Sequence, residues 1–82
     1  LKTKYSPGFK AMYDALPRPV QKRFKAIDEK VAAGNLDLFD RQGWGYFVDI
    51  DKIHTALGNY REKEKVFYWV LIGPSELIPV IL

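Results

Sequence analysis

The sequence predicts a small α+β fold: a two-helix hairpin on one face of a small, antiparallel-dominated sheet. Three observations predict it. Two segments between positions 6 and 34 carry apolar residues at helical spacing on one side only. From Trp44 onward the apolar period changes from 3.6 to 2. The chain has 82 residues, room for one domain over 1–82 and one core. Each helix has a single apolar stripe, so both must lie on the same side of the sheet.

Leu1 to Tyr5 alternates apolar and basic residues and reads as a short strand with Leu1, Thr3 and Tyr5 on one face. Ser6-Pro7 opens a helix, Ser6 as N-cap and Pro7 at the first helical position, where the missing N–H is no loss. Phe9, Met12, Tyr13 and Leu16 follow at i, i+3, i+4 and i+7 and form its buried stripe. Pro17-Arg18-Pro19 ends it, because a residue before proline avoids the helical region. A second helix begins near Pro19, with Val20, Phe24, Ile27 and Val31 as its stripe and Lys22, Arg23, Lys25 and Lys30 mostly off it. Ala32-Ala33-Gly34-Asn35 closes it, Gly34 taking the left-handed cap conformation.

Leu36 to Gly43 reads as a linker with turn-forming Asp37, Asp40 and Gly43, while Leu36, Leu38 and Phe39 tuck onto the core. Tyr46, Val48 and Ile50 then alternate with Phe47, Asp49 and Asp51. After a turn near Asp51-Lys52, the residues Ile53, Thr55 and Leu57 alternate with His54 and Ala56. Gly58-Asn59 and the charged run Arg61-Glu62-Lys63-Glu64-Lys65 are expected to form the next turn, and Val66 to Ile72 is an unbroken apolar run, expected as a central strand buried on both faces. Leu77 to Leu82 is expected as a final edge segment or a stub on the core. The expected burials are Phe9, Leu16, Phe24, Ile27, Val31, Val48, Val70 and Ile72.

Composition excludes several function classes. Without cysteine there is no disulfide and no cysteine-ligated zinc or iron–sulfur site, which fits a reducing, cytoplasmic setting. One histidine cannot build a multi-histidine metal site, and no Gly-rich phosphate loop occurs, so neither metal nor cofactor is expected. No apolar run approaches the roughly 18 residues of a membrane span, and Leu1-Lys2-Thr3-Lys4 is not followed by a signal-peptide core. The net charge of +3 leans toward an anionic partner, nucleic acid or an acidic protein segment, and equally serves plain solubility.

The element order β, α, α, β, β, β resembles that of the RelE/ParE superfamily of bacterial toxins, and local sequence agrees. Leu16-Pro17 followed by Val20-Gln21-Lys22-Arg23-Phe24 resembles that family's frequent "LP..VQ.R" start of the second helix, and Ser6-Pro7-Gly8-Phe9-Lys10 resembles the end of its first strand. Asp51-Lys52-Ile53-His54-Thr55-Ala56-Leu57 stands at its "DYRIHY"-like strand, and Val66 to Gly73 with Pro74-Ser75-Glu76-Leu77 resembles its last strand and "IGPHDEY"-like end. The resemblance implies the toxin of a toxin–antitoxin pair. Many members cleave messenger RNA in the ribosomal A site without a metal, whereas the ParE branch poisons DNA gyrase. Implied partners are a cognate antitoxin, plus ribosome and mRNA for the RelE branch. The alternatives are a ParE-like or inactive member acting by protein binding, and an unrelated small α+β module.

Cleavage by attack of a 2′-hydroxyl needs a proton acceptor and cations that stabilise charge on phosphorus. Lys52 and His54 are the catalytic candidates: they fall two apart in one predicted strand, on one face, and His54 is the only histidine. The competing expectation is a polar residue on a half-exposed sheet for His54 and a solvated turn lysine for Lys52. Arg41 and Arg61 are candidates for binding RNA phosphate, with Lys22 and Arg23 as further RNA-binding positions, and Tyr46, Tyr60 and Tyr68 for stacking on a base. Lys22, Arg23 and Lys30, or the sheet near His54, are the expected footprint of a helical antitoxin segment. Asp49 and Asp51 share a predicted strand face and suit either a cation or a solvated polar surface. In one departure from the family, Ser75 stands where the "IGPHDEY" histidine would stand, and no His, Arg or Tyr follows Gly73.

Overall fold

The computed structural model describes residues 1–79. The elements are β1 (Lys2–Tyr5), α1 (Phe9–Asp14), α2 (Arg18–Ala32), β2 (Asp40–Gln42), β3 (Gly45–Asp49), β4 (His54–Arg61), β5 (Val66–Pro74) and a 3-10 turn at Ser75–Leu77. They build one five-stranded sheet in the order β1-β5-β4-β3-β2, with β1 parallel to β5 and every other pair antiparallel. The α+β architecture is as predicted, with one strand more, but Gly58-Asn59, expected in the turn after β4, lie within β4, where they pair with Trp69 and Tyr68 of β5. Among the described residues no helix is long and apolar enough to cross a membrane.

One core fixes which face carries the helices. Phe9, Leu16, Val20, Phe24 and Val31 from the helices pack with Tyr46, Val48, Ala56, Phe67, Trp69 and Ile72 from the sheet. Those strand residues are cross-strand neighbours on one face, with Val48 opposite Ala56 and Ala56 opposite Ile72. Both helices therefore cover that face, and among the described residues the other face carries none. At the centre Phe67 and Trp69 are fully buried with ring centroids 4.8 Å apart, and Phe24 and Phe39 close around them. Burying side chains of this size stabilises the fold by about 1.5–3 kcal/mol each. The Trp69 indole donates to the Asp28 carboxylate at 2.8 Å, and the Tyr5 hydroxyl donates to the other oxygen of the same group. This pairing lets a polar nitrogen sit in the core without an unmet donor.

α2 starts with proline in its first turn and ends in a Schellman motif. Gly34 takes φ 96°, its N–H reaches the Val31 carbonyl, and the Asn35 N–H reaches the Lys30 carbonyl. α1 departs from expectation. Ser6 does not cap it; its hydroxyl donates to the Val70 carbonyl at 2.7 Å and its N–H to the Trp69 carbonyl at 2.8 Å. Beyond Tyr5 the edge of β5 would otherwise lose a partner, and Ser6 supplies one. The helix starts two residues later than predicted, at Phe9, with Gly8 before it.

The segment 36–43, predicted as linker, contains β2. Gln42 pairs with Gly45 across a two-residue turn in which Gly43 has φ 57°, as a type II′ hairpin requires of its first central residue. Leu36, Leu38 and Phe39 pack on the core as expected. Of the expected burials, Ile27 and Val70 are half-buried instead. Val70 lies at a register shift: Leu57 pairs with Leu71, but Gly58 pairs with Trp69. The bulge leaves Val70 without a cross-strand partner. β5 is accordingly not buried on both faces, since Tyr68, Val70 and Leu71 are only half-covered. A 3-10 turn at Ser75–Leu77 leads into the final apolar stretch, whose first residue Leu77 is exposed and outside any strand, so its described part is neither an edge strand nor a stub on the core; residues 80–82 lie outside the described residues.

Candidate nucleic-acid interface

Alternation along β4 sends Ala56, Gly58 and Tyr60 to the helix-bearing face, and Leu57, Asn59 and Arg61 to the helix-free face. Register places Tyr68 beside Asn59 on one side and beside Lys4 on the other. The Arg61 guanidinium lies over the Tyr68 ring, 5.1 Å from its centroid, and the Lys4 ammonium lies 6.0 Å from the same centroid. Lys2, opposite Val66, adds a third cation to this face. The Asn59 amide donates to the Trp44 carbonyl at 3.0 Å and so ties the β2–β3 hairpin tip to the same patch. Trp44 leaves 50% of its surface exposed. Arg61, Tyr68, Asn59 and Trp44, with Ser6 and Val70, line an open cleft of about 480 Å³. The carboxylate nearest Arg61 is Glu64 at 3.8 Å, a loose, exposed pair that leaves most guanidinium donors free. Cations held on an aromatic face beside an exposed indole are what a single strand of RNA requires: charge for phosphate and flat surface for bases.

The other predicted site residues do not join this patch. Lys52 is in the turn before β4, not in a strand, and is exposed; Lys52 and His54 therefore do not share a strand face. His54 is 9% exposed and, with the parity of Ala56, points to the helix-bearing side, where it lines a cleft with Met12, Leu16 and Pro17. The expected half-exposed histidine on the open face is thus corrected. Asp51 explains the turn. One of its oxygens accepts the backbone N–H groups of Ile53 at 2.9 Å and His54 at 2.8 Å, and the imidazole Nδ1 lies 2.9 Å from it. The Ile53 N–H, with His54 adding to it against partial burial, holds the Asp51 carboxyl below its ordinary range. Asp49 ends β3 while Asp51 lies in the turn, so they do not form the shared strand face expected of a cation site.

His54 and Arg61 begin and end β4, seven residues or about 23 Å apart at a strand rise of roughly 3.3 Å per residue. One phosphate cannot touch both. Arg41 pairs across from Tyr46, on the helix-bearing face, with its guanidinium 4.6 Å from that ring's centroid; it is on the opposite side of the sheet from Arg61. Lys22 and Arg23 are exposed on α2 and likewise belong to the helix-bearing side. Of the three tyrosines, Tyr46 is in the core, Tyr60 packs against it, and only Tyr68 belongs to the cation patch.

Ser75 occupies a closed chain of hydroxyls. Thr55 donates to Asp49 at 3.1 Å and lies 2.6 Å from the Ser75 oxygen. A hydroxyl has one proton, so Thr55 accepts and Ser75 is the donor. The Ser75 N–H also binds the Ile53 carbonyl at 2.8 Å. These bonds pin the end of β5 against the start of β4 and spend the serine proton on structure.

Lys4, Trp44 and Asn59 were not singled out by sequence. The alternation Lys2, Lys4 was visible, but its meaning depended on β1 pairing with β5 across more than sixty residues. No protein-family model matches the chain, and no curated protein matches it by sequence. Solved structures do. The chain superposes on the archaeal RelE–RelB complex from Pyrococcus horikoshii with a TM-score of 0.72 at 14% identity, covering 94% of this chain and 97% of that one. It superposes on the intact E. coli RelBE toxin–antitoxin complex with a TM-score of 0.73 at 10% identity, covering 90% and 95%. The fold is RelE-like. At such identities the likeness concerns backbone architecture, and the RelE-like sheet is the one whose open face carries Arg61, Lys4 and Tyr68.

Proposed function

We propose that this RelE-like protein is the toxin of a toxin–antitoxin pair, acts on ribosome-bound mRNA in the cytoplasm, and contacts RNA through the helix-free face. The observation that carries the reading is the Arg61–Tyr68–Lys4 cluster beside half-exposed Trp44. Arg61 and Lys4 hold the scissile phosphate and stabilise the charge that grows on it as the 2′-oxygen attacks, its proton passing to water while the phosphorus–5′-oxygen bond breaks and leaves a 2′,3′-cyclic phosphate; Trp44 and Tyr68 stack the flanking bases. His54 is too far from Arg61 to take the 2′-hydroxyl proton, so this chain contributes positioning and charge stabilisation. The two solved structures named above are a RelE–RelB complex and a RelBE toxin–antitoxin complex, which supports an antitoxin here, and exposed Lys22, Arg23 and Lys30 on α2 offer an acidic helix a basic surface away from the RNA face.

The test is cleavage of a reporter mRNA with and without ribosomes. Wild type should cut only with ribosomes. Arg61→Ala should lower the rate by roughly a hundredfold or more, the usual cost of removing one transition-state donor, with an unchanged melting temperature. Cleavage by Arg61→Ala at the wild-type rate would sink this assignment. A second reading, toxicity through protein binding without RNA cleavage, is favoured by the Ser75 proton being held in the Thr55–Asp49 chain. Growth inhibition without any cut RNA would select it.

A further inference from the structure

The helix-bearing side has a cleft of its own, about 350 Å³, where β1, α1 and α2 meet. Phe9 and Phe24 form its floor, with centroids 5.4 Å apart, and Tyr5 and Tyr13 form walls at 5.3 Å from Phe9 and 5.8 Å from Phe24. Its polar lining includes two carboxylates of different standing. Asp14 is neutralised by Lys10 at 2.8 Å. Asp28 is half-buried and receives only neutral donors, the Trp69 indole on one oxygen and the Tyr5 hydroxyl on the other. Among the described residues no basic group comes within ion-pair distance of Asp28, although Lys25 stands on the rim. Each Asp28 oxygen thus keeps a spare lone pair in a wall of aromatic rings.

We propose that this cleft binds an arginine side chain carried on a peptide partner. Four aromatic rings around an unneutralised carboxylate favour a cation with a flat, weakly hydrated head. A guanidinium fits both needs: its face stacks on a ring while its forked N–H groups reach two carboxylate oxygens. At about 350 Å³ the cleft is larger than the arginine head and is open to solvent, which leaves room for the neighbouring peptide backbone. The site is on the opposite side of the sheet from Arg61 and stands independently of the RNA reading.

Two indole N–H signals make the test specific, because Trp69 donates to Asp28 while Trp44 is on the other face. The full chain is titrated with the blocked peptide acetyl-Ala-Arg-Ala-amide and followed by NMR. The Trp69 indole signal should shift saturably, with Kd on the order of 1 mM, and the Trp44 signal should stay in place. The same peptide with neutral citrulline for arginine should give no saturable shift. Asp28→Asn keeps an acceptor for the indole and a donor for the Tyr5 oxygen while removing the charge, and it should weaken binding by at least about tenfold. Equal binding of the citrulline peptide, or no Trp69 shift, overturns the proposal, and this comparison on wild type decides the matter even if the variant folds poorly. Saturation by guanidinium chloride at the same concentration overturns the peptide assignment.

Discussion

Gly58 is the position where one added methyl should do most harm. A Cβ there would stand 2.2 and 2.4 Å from Cε1 and Cζ of Phe67 and 3.0 Å from the Tyr68 carbonyl oxygen. Carbon atoms normally approach no nearer than about 3.5 Å, so the ring must retreat by more than an ångström. It has nowhere to go. Phe67 is fully buried, stacked on Phe39 at 5.0 Å and edge-on to Trp69 at 4.8 Å and Tyr46 at 5.7 Å. Overpacking of this kind costs about 1–3 kcal/mol, and each disrupted aromatic pair adds roughly 0.5–1.5 kcal/mol. Gly58→Ala should therefore lose about 2–4 kcal/mol, a large part of the stability of a domain this small. At roughly 4–8 °C per kcal/mol, the melting temperature should fall by about 10 °C or more, read by circular dichroism. Phe67→Leu removes the colliding atoms, so the double variant should be less destabilised than the two single costs added together. A melting temperature for Gly58→Ala within about 2 °C of wild type, or strict additivity in the cycle, would refute the collision.

Three further outcomes follow from the geometry. Because Asp51 has a lowered folded-state pKa, the stability it confers is present above its unfolded value near 3.9 and is lost as pH falls through the folded value; urea melts should show Asp51→Asn with a flatter stability profile across that acid window. Asp28→Ala strands the buried Trp69 N–H and should cost about 1–3 kcal/mol in chemical denaturation, whereas Asp28→Asn should cost less. Lys65 holds φ 58° in the β4–β5 turn, a conformation costing roughly 1–2 kcal/mol for a residue with a Cβ; Lys65→Gly should raise the melting temperature slightly, since glycine's own entropic cost of about 0.5–1 kcal/mol offsets only part of the relief.

The helices were legible because their signal is local: the stripes of Phe9–Leu16 and Val20–Val31 are complete within a few turns, and so is the Gly34 stop. β2 was not, since Asp40-Arg41-Gln42 carries no apolar alternation and is a strand only because Gly43 folds it back on Gly45. Ser6 looked like a cap because Ser-Pro usually is one; the unpaired carbonyls of Trp69 and Val70, distant in sequence, drew it away. His54 was misplaced for a related reason. Alternation gives two possible faces, and the choice depended on Ala56 and Ile72 packing together on the helix side. Arg61 was identified by type alone; its partners Tyr68 and Lys4 needed the register of two strand pairs, one of them parallel.

That parallel pairing has a consequence for folding. Among the described residues β1 has β5 as its one strand neighbour, and Lys4 lies opposite Tyr68, 64 positions later. Closing so long a loop delays the pairing relative to the local helix hairpin. The cationic patch thus forms late in folding: until Val66–Trp69 docks between them, Lys4 and Arg61 belong to unconnected pieces.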